Sequence, residues 1–166
     1  SPDELKKTMS ITPAYLVTQD AEGITDFSQV TMELGRRFRA LKLWFVIRAY
    51  GVSGLQEIIR NHVTWAGELA DRIAATPGFE LTSPARLGLF SFRLRPQGMQ
   101  DGADLDRLNA RFLDAVNADG TIYLTQTVHD DRYVIRVSIG ATATRAEDMD
   151  IALERIAAIA KPFLVT

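Results

Sequence analysis

A chain of 166 residues is long enough for one domain, or for one small domain plus a piece of another. Apolar residues make up 46% and charged residues 24%, which argues against disorder, and no apolar run reaches the roughly 18 residues that a membrane span needs. Nineteen basic against 21 acidic side chains leave a net charge of −2, and there is no cysteine. That balance provides no field to gather nucleic acid or anionic lipid, and it excludes disulfides, a thiolate nucleophile and a cysteine metal site.

The chain opens Ser1-Pro2-Asp3-Glu4 without a charged-then-apolar signal segment, so a cut or processed end and a cytoplasmic setting are expected. From Ser10 to Phe27, Pro13, Gly23 and the polar run Thr18 to Glu22 favour a mobile surface loop. Leu34, Phe38, Leu41 and Phe45 then recur at helical spacing, with Arg36, Arg37, Arg39 and Lys42 on the other positions. The densest apolar stretch, Leu41 to Ile47, reads as a buried helix. Gly51 breaks the pattern, and Ser53-Gly54-Leu55-Gln56 has the spacing of a capping box for a new helix. The apolar face of that helix runs through Leu55, Ile58, Ile59, His62, Ala66, Leu69, Ala70 and Ile73, and Pro77-Gly78 ends it.

Beyond Gly78 the period shifts toward two. Phe79 to Thr82, and then Gly88, Phe90, Phe92 and Leu94, alternate as half-buried strands do. Leu105, Leu108, Phe112 and Val116 predict a helix over Asp104 to Ala118. Ile122 to Val128 and Tyr133 to Ile139 read as antiparallel strands joined by the polar connection His129-Asp130-Asp131-Arg132. A last helix opens at Thr144-Arg145-Ala146-Glu147 and carries Met149, Leu153, Ile156, Ile159 and Ala160 on one face. The expected class is α+β, with a mostly antiparallel sheet burying one face under helices.

The residues by themselves offer little chemistry. His62 and His129 lack partners at metal-ligand spacing, so His62 reads as structural and His129 as a turn residue. No nucleophile elbow, phosphate loop or dinucleotide fingerprint is present. The cluster Arg36-Arg37-Phe38-Arg39 suits either an anion or a solvated helix face. Arg136, on a strand between Val134 and Ser138, suits either a bidentate carboxylate contact or a cross-strand ion pair.

One long segment is more specific. Gly23-Ile24-Thr25-Asp26-Phe27, followed by Leu34-Gly35-Arg36-Arg37-Phe38-Arg39-Ala40-Leu41-Lys42-Leu43-Trp44, resembles the group II pyridoxal-phosphate (PLP) decarboxylases. The similarity continues through Arg48-Ala49-Tyr50-Gly51-Val52-Ser53-Gly54-Leu55 and Ile59-Arg60-Asn61-His62-Val63, and persists to Leu87-Gly88-Leu89-Phe90-Ser91-Phe92-Arg93-Leu94. Within that family it is nearest the aromatic L-amino-acid decarboxylases. The resemblance implies the C-terminal part of a PLP-dependent transferase type I (aspartate-aminotransferase-like) fold. Residues 1–50 would then be a catalytic-loop segment and helix of the large domain, 51–78 a connecting helix, and 79–166 the small C-terminal α+β domain. It also implies a PLP cofactor, an aromatic amino-acid substrate, a homodimer with shared active sites, and neither nucleic acid nor membrane as partner.

Two site residues follow from the resemblance. Thr12-Pro13-Ala14-Tyr15-Leu16 matches the mobile catalytic loop, whose tyrosine delivers a proton to the carbon that loses CO2, so Tyr15 is the expected general acid. Gly35 matches a position lining the aromatic side-chain pocket. The family's cofactor lysine lies in an Asn-x-His-Lys segment, and none of Lys6, Lys7, Lys42 and Lys161 follows a histidine. No cofactor-binding residue is therefore expected in this chain, and on its own it is expected to be inactive. A family member acting on histidine or an acidic amino acid, and a non-catalytic regulatory or dimerisation module, are the alternatives.

Overall fold

A computed structural model of the chain describes residues 2–9 and 37–165, which fall into two compact units, Ser1–Gly51 and Val52–Thr166. In the first unit, α1 (Pro2–Met9) is a short helix that the apolar periodicity does not predict. End charges account for it: Asp3 and Glu4 stand in its first turn and Lys6 and Lys7 in its last, each sign facing the helix end it stabilises. The long helix α2 (Ala40–Ala74) follows, and it is helical on both sides of Gly51. Gly51 itself has φ 69° and ψ 167°, a combination open essentially to glycine alone. The expected break at Gly51 is thus present, with helical backbone on either side of a non-helical glycine. The stretch Leu41 to Ile47 is helical as expected but is not buried: Leu43, Trp44 and Phe45 are 61%, 54% and 58% exposed. Its apolar side chains run round the whole helix, and such a helix needs cover on every side.

The second unit is built on a single antiparallel sheet. Strands β1 (Phe79–Arg86), β2 (Leu89–Leu94), β3 (Thr125–His129) and β4 (Arg132–Ser138) stand in the order β1-β2-β4-β3. The second half of α2, with α3 (Ala103–Asp119) and α4 (Glu147–Leu164), supplies the helices. Register decides which residues face them. Leu81, Phe92 and Ile135 pair in one row across β1, β2 and β4, and Phe90 pairs with Val137. These side chains pack with Ala66, Leu69 and Ile73 of α2, Phe112 and Val116 of α3, and Ile156 and Ala160 of α4. Phe92, Phe79, Phe112 and Phe163 continue the core as a chain of tilted and edge-on rings with centroids 5.6 to 6.5 Å apart. Each fully buried phenylalanine contributes about 2 to 3 kcal/mol.

Two sequence expectations change here, each for a local reason. Residues 122–124 are not strand, because Asn117 takes the backbone of Leu124: its Oδ1 accepts from Leu124 N at 2.8 Å and its Nδ2 donates to Leu124 O at 3.0 Å. The last helix is not capped by Thr144. Its N-cap is Ala146, and the Asp148 carboxylate accepts instead from Arg145 N at 2.8 Å. At the edge of the sheet, β3 is exposed along its whole length.

Candidate functional site

Two hairpins position a hollow of the second unit. β1 and β2 turn at Leu87-Gly88, where Gly88 O accepts from Ile139 N at 2.8 Å. A Cβ at Gly88 would lie 2.4 Å from the Ile139 carbonyl oxygen, so only glycine lets the first hairpin approach the end of β4. β3 and β4 turn at Asp130-Asp131, both left-handed with φ 50° and 57°, the primed turn whose twist matches a tight hairpin. In β1 an extra residue is inserted at Thr82: Leu81 pairs with Phe92, yet Ser83 pairs with the adjacent Ser91. This bulge turns Ser83 to the face of Ser91, and Thr82 Oγ1 lies 2.9 Å from Ser91 Oγ.

The result is a polar row running crosswise over all four strands. Ser83 pairs with Ser91, Ser91 with Arg136 and Arg136 with Thr125. Alternation along the strands sets this row on the side opposite the Leu81, Phe92 and Ile135 row. A cleft of about 300 Å³ opens there, with Arg86 and Arg136 as its cations, Ser83, Ser91 and Thr127 as its hydroxyls, and His129 at one wall. Leu89, Phe90 and Val128 add apolar lining, and among the described residues no carboxylate lines the cleft.

Register settles the two readings of Arg136. Its cross-strand neighbours are Ser91 and Thr125, so it makes no cross-strand ion pair. Among the described residues, neither Arg136 nor Arg86 has a carboxylate partner. Several other arginines of the unit are paired with carboxylates. Fully buried Arg93 meets Asp106 at 2.7 Å and Asp101 at 3.3 Å; Arg95 and Arg132 share Glu80; Arg155 pairs with Asp119. The Arg155 guanidinium and Thr121 hold the Asp119 carboxyl at about 2, below its ordinary value of 3.8. Burial, aided by the charge of Asp114, pushes the Tyr133 phenol up. His129 Nε2 stands 3.7 Å from the Asp130 carboxylate.

The remaining candidates are dispersed. Tyr15 and Gly35 lie outside the described residues, as does Arg36, while Arg37 and Arg39 are exposed in the first unit. His62 is buried with its ring 5.8 Å from that of Trp65, a packing role. His129, read from sequence as a turn residue, ends β3 and lines the cleft. Sequence reasoning missed Arg86, Ser83, Ser91 and Thr127; for Ser91 the signal was its place between Phe90 and Phe92 on β2. A second hollow, in the first unit, is apolar and lined by Phe38, Leu41, Leu43, Trp44 and Ile47. Among the described residues, no group of three or more His, Asp and Glu is placed to hold a metal ion, and no helix is long and apolar enough to cross a membrane.

Neither hollow has a lysine in its lining. PLP is held through a lysine amine, so the described residues do not form a site that fits the cofactor, and no chemical step through it is assigned to them. What the cleft offers is fixed positive charge, hydroxyl donors and an apolar edge, which suits binding an anion.

Comparison with known proteins gives this geometry its context. Residues 1–95 match the model of the pyridoxal-dependent decarboxylase conserved domain. A tryptophan decarboxylase of Camptotheca acuminata is 37% identical over 94% of this chain and 32% of its own length. Tyrosine decarboxylase 2 of Narcissus pseudonarcissus is 40% identical over 86% of this chain and 29% of its own length. The crystal structure of Oryza sativa TDC with PLP and tryptamine superposes with a TM-score of 0.84 at 30% identity, covering 98% of this chain and 34% of that one. The α+β arrangement is accordingly that of part of a PLP-dependent transferase type I fold. The chain spans about a third of the length of these relatives, and it belongs to the pyridoxal-dependent decarboxylase family.

Proposed function

We propose that the protein of which this chain is part uses PLP to decarboxylate aromatic L-amino acids, releasing the amine and CO2. The observation that carries this reading is the reach of the similarity. Relatives named for tryptophan and tyrosine decarboxylation match 86 to 94% of the chain, well beyond the residues 1–95 that the family model covers. The cofactor-binding lysine belongs to another part of the protein, because no lysine follows a histidine in the sequence and none lines either hollow. The 166-residue chain by itself is therefore inactive.

Within this reading Tyr15 is the general acid that returns a proton to the decarboxylated carbon, and Gly35 forms part of the wall around the aromatic ring. The division into a loop and helix over 1–50, a connecting helix over 51–78 and a small domain over 79–166 belongs to the same reading. So does a homodimer with shared active sites, which rests on family resemblance. A cytoplasmic setting is supported by the absence of cysteine. The lack of lysine in both hollows would equally suit a non-catalytic α+β module.

The test is turnover by the whole protein, loaded with PLP and offered tryptophan, tyrosine, histidine and glutamate in turn. Amine and CO2 from tryptophan or tyrosine, with little from histidine or glutamate, is the expected result. Preference for histidine or glutamate would replace the substrate class, and no turnover of any amino acid would favour the module. The 166-residue chain mixed with PLP should stay colourless and release no CO2; release would overturn its inactivity.

A further inference from the structure

We infer that Asp101-Gly102 is a site of spontaneous covalent modification, at which the aspartate rearranges to isoaspartate, and that Arg93 and Arg95 restrain the reaction. Nothing in this depends on the decarboxylase reading. An aspartate followed by glycine is the pair best suited to the rearrangement, because a residue without Cβ leaves its amide free to reach the neighbouring carboxyl. The chain has two such pairs, Asp101-Gly102 and Asp119-Gly120. In the reaction the Gly102 nitrogen attacks Cγ of the protonated Asp101 carboxyl. The N–Cγ bond forms, a Cγ–O bond breaks, and the hydroxyl leaves with the amide proton as water, closing a succinimide ring. Water then adds at the Asp101 backbone carbonyl carbon and breaks its bond to the Gly102 nitrogen. One water leaves and one enters with no change of oxidation state, so the mass is unchanged. Cβ has moved into the main chain, and the free carboxylate now sits on Cα.

The fold protects one pair and exposes the other. At the end of α3 the Gly120 amide is committed, donating to Asn117 O at 3.3 Å. Arg155 takes both oxygens of Asp119, Oδ2 from its Nε at 3.1 Å and Oδ1 from a second nitrogen. The Asp119 side chain is only 17% exposed, and its carboxyl, held at about 2, is seldom in the protonated form that reacts. At the start of α3 the Gly102 amide donates to no acceptor among the described residues. Its backbone, with φ 144° and ψ −175°, is open essentially to glycine alone, and nothing lies within 4 Å of where a Cβ would be, which leaves room for a ring. Asp101 is 47% exposed. Arg93, at 3.3 Å, and Arg95 both bind its Oδ1, and its Oδ2 has no partner among the described residues.

The consequence falls on Arg93. Its guanidinium is fully buried, meets only Asp101 and Asp106 among the carboxylates of the described residues, and already has an unpartnered Nε. Moving the Asp101 carboxylate onto the main chain leaves Asp106 alone to balance a buried charge, and a buried cation that loses a partner destabilises what surrounds it. Asp106 also accepts from Tyr133 N at 3.2 Å, joining α3 to β4. Isoaspartate at position 101, two residues before the first residue of α3, therefore loosens that helix against the sheet.

The whole protein, kept warm at neutral pH for several weeks, would be labelled by an isoaspartyl carboxyl methyltransferase with radioactive S-adenosylmethionine and mapped by peptide fragmentation. Label should appear at Asp101 at least about fivefold above Asp119, which must first give up the Gly120 amide bond. In urea the two pairs should react alike, since the difference belongs to the fold. Arg95→Gln should speed the reaction at Asp101 by about fivefold, the factor one net hydrogen bond holds back, and leave Asp119 unchanged. Arg155→Gln should do the converse, and Asp101→Glu, one carbon too long for the ring, should abolish the label at that position. Hydrogen exchange in α3 should be faster in the modified fraction than in the fresh protein. No label at Asp101, label at Asp119 as strong as at Asp101, or an unaltered rate in folded Arg95→Gln would each overturn the inference. If Arg95→Gln does not fold, the ratio of the two sites in the parent decides. Exchange in α3 as slow as in the fresh protein would overturn the link through Arg93.

Discussion

Asn109 holds both backbone groups of Leu94: its Oδ1 accepts from Leu94 N at 2.7 Å, and its Nδ2 donates to Leu94 O at 3.1 Å and to Leu105 O at 2.9 Å. Both residues are fully buried, so water does not replace these bonds when the amide is removed. Asn109→Ala should cost about 3 kcal/mol, as a buried donor and acceptor lose their partners together. Urea unfolding measures this, and a loss below about 1 kcal/mol would mean that the pair is solvated after truncation. Asn109→Asp should be no better, since it restores the acceptor but removes the donor and buries a charge.

The sequence made the core of this unit legible because its signals are periodic. Ala66, Leu69 and Ile73, then Phe90 and Phe92, then Phe112 and Val116 are buried as their spacing predicts. What it could not show depends on single contacts between distant residues. Asn117 withdraws Leu124 from a strand that Ile122 to Val128 appear by composition to form. One inserted residue in β1 sets Ser83 beside Ser91 and so completes the polar row. Arg136 was visible as a strand arginine, but its freedom from ion pairing is a property of register, which a one-residue slip would reverse. The exposure of Leu43, Trp44 and Phe45 was equally hidden, because an all-round apolar helix states what it needs and not what meets it.

Gly88 gives a steric test of the hairpin that frames the cleft. Gly88→Ala would drive a methyl group into the backbone oxygen of Ile139, 2.4 Å away, and neither partner is a flexible side-chain end. We expect a loss of about 1 to 3 kcal/mol, the usual cost of overpacking. Gly67→Ala is the matched control. It lies inside helix α2 with nothing within 4 Å of the added carbon, so alanine should stabilise by about 0.5 to 1 kcal/mol through helix propensity. Thermal unfolding of both variants should move in opposite directions.

Asp119 predicts an acid limb in stability. Its carboxyl is held at about 2 rather than 3.8, first by the hydrogen bond from Arg155 and then by Thr121. A folded value below the unfolded one means that the unfolded chain binds the proton first as the pH falls. The contribution is therefore complete above about pH 4 and is lost as pH falls toward the folded value of about 2. The stability difference between the parent chain and Asp119→Asn should be constant near neutrality and shrink between those limits. A difference that does not change from pH 5 to pH 2 would show that the bond from Arg155 does not depend on the carboxylate charge.

Tyr15 is tested by its products in the whole protein. If its phenol returns the proton, Tyr15→Phe should lower amine yield by roughly the 10²-fold or more that a general acid supplies. It should also raise aldehyde, ammonia and hydrogen peroxide, as dioxygen oxidises the carbon that the proton no longer reaches. Binding of substrate should change little, because a phenyl ring fills nearly the same space. Amine and aldehyde, measured together against oxygen consumed, separate this from a folding defect, which would lower both products in parallel.

Gly35 is tested by a ratio of substrates. Glycine leaves room at a pocket wall, and serine adds both bulk and a hydroxyl that needs a partner once buried. Gly35→Ser should therefore lower kcat/KM for tryptophan more than for tyrosine, by about the 10-fold or more that one extra group in an apolar pocket is worth. The ratio matters because a general loss of stability scales both substrates alike. If serine lowers the two by the same factor, the pocket role of Gly35 fails and a backbone role for the glycine remains. If tyrosine suffers more than tryptophan, the proposed wall at Gly35 would have to face the polar end of the ring rather than its larger face.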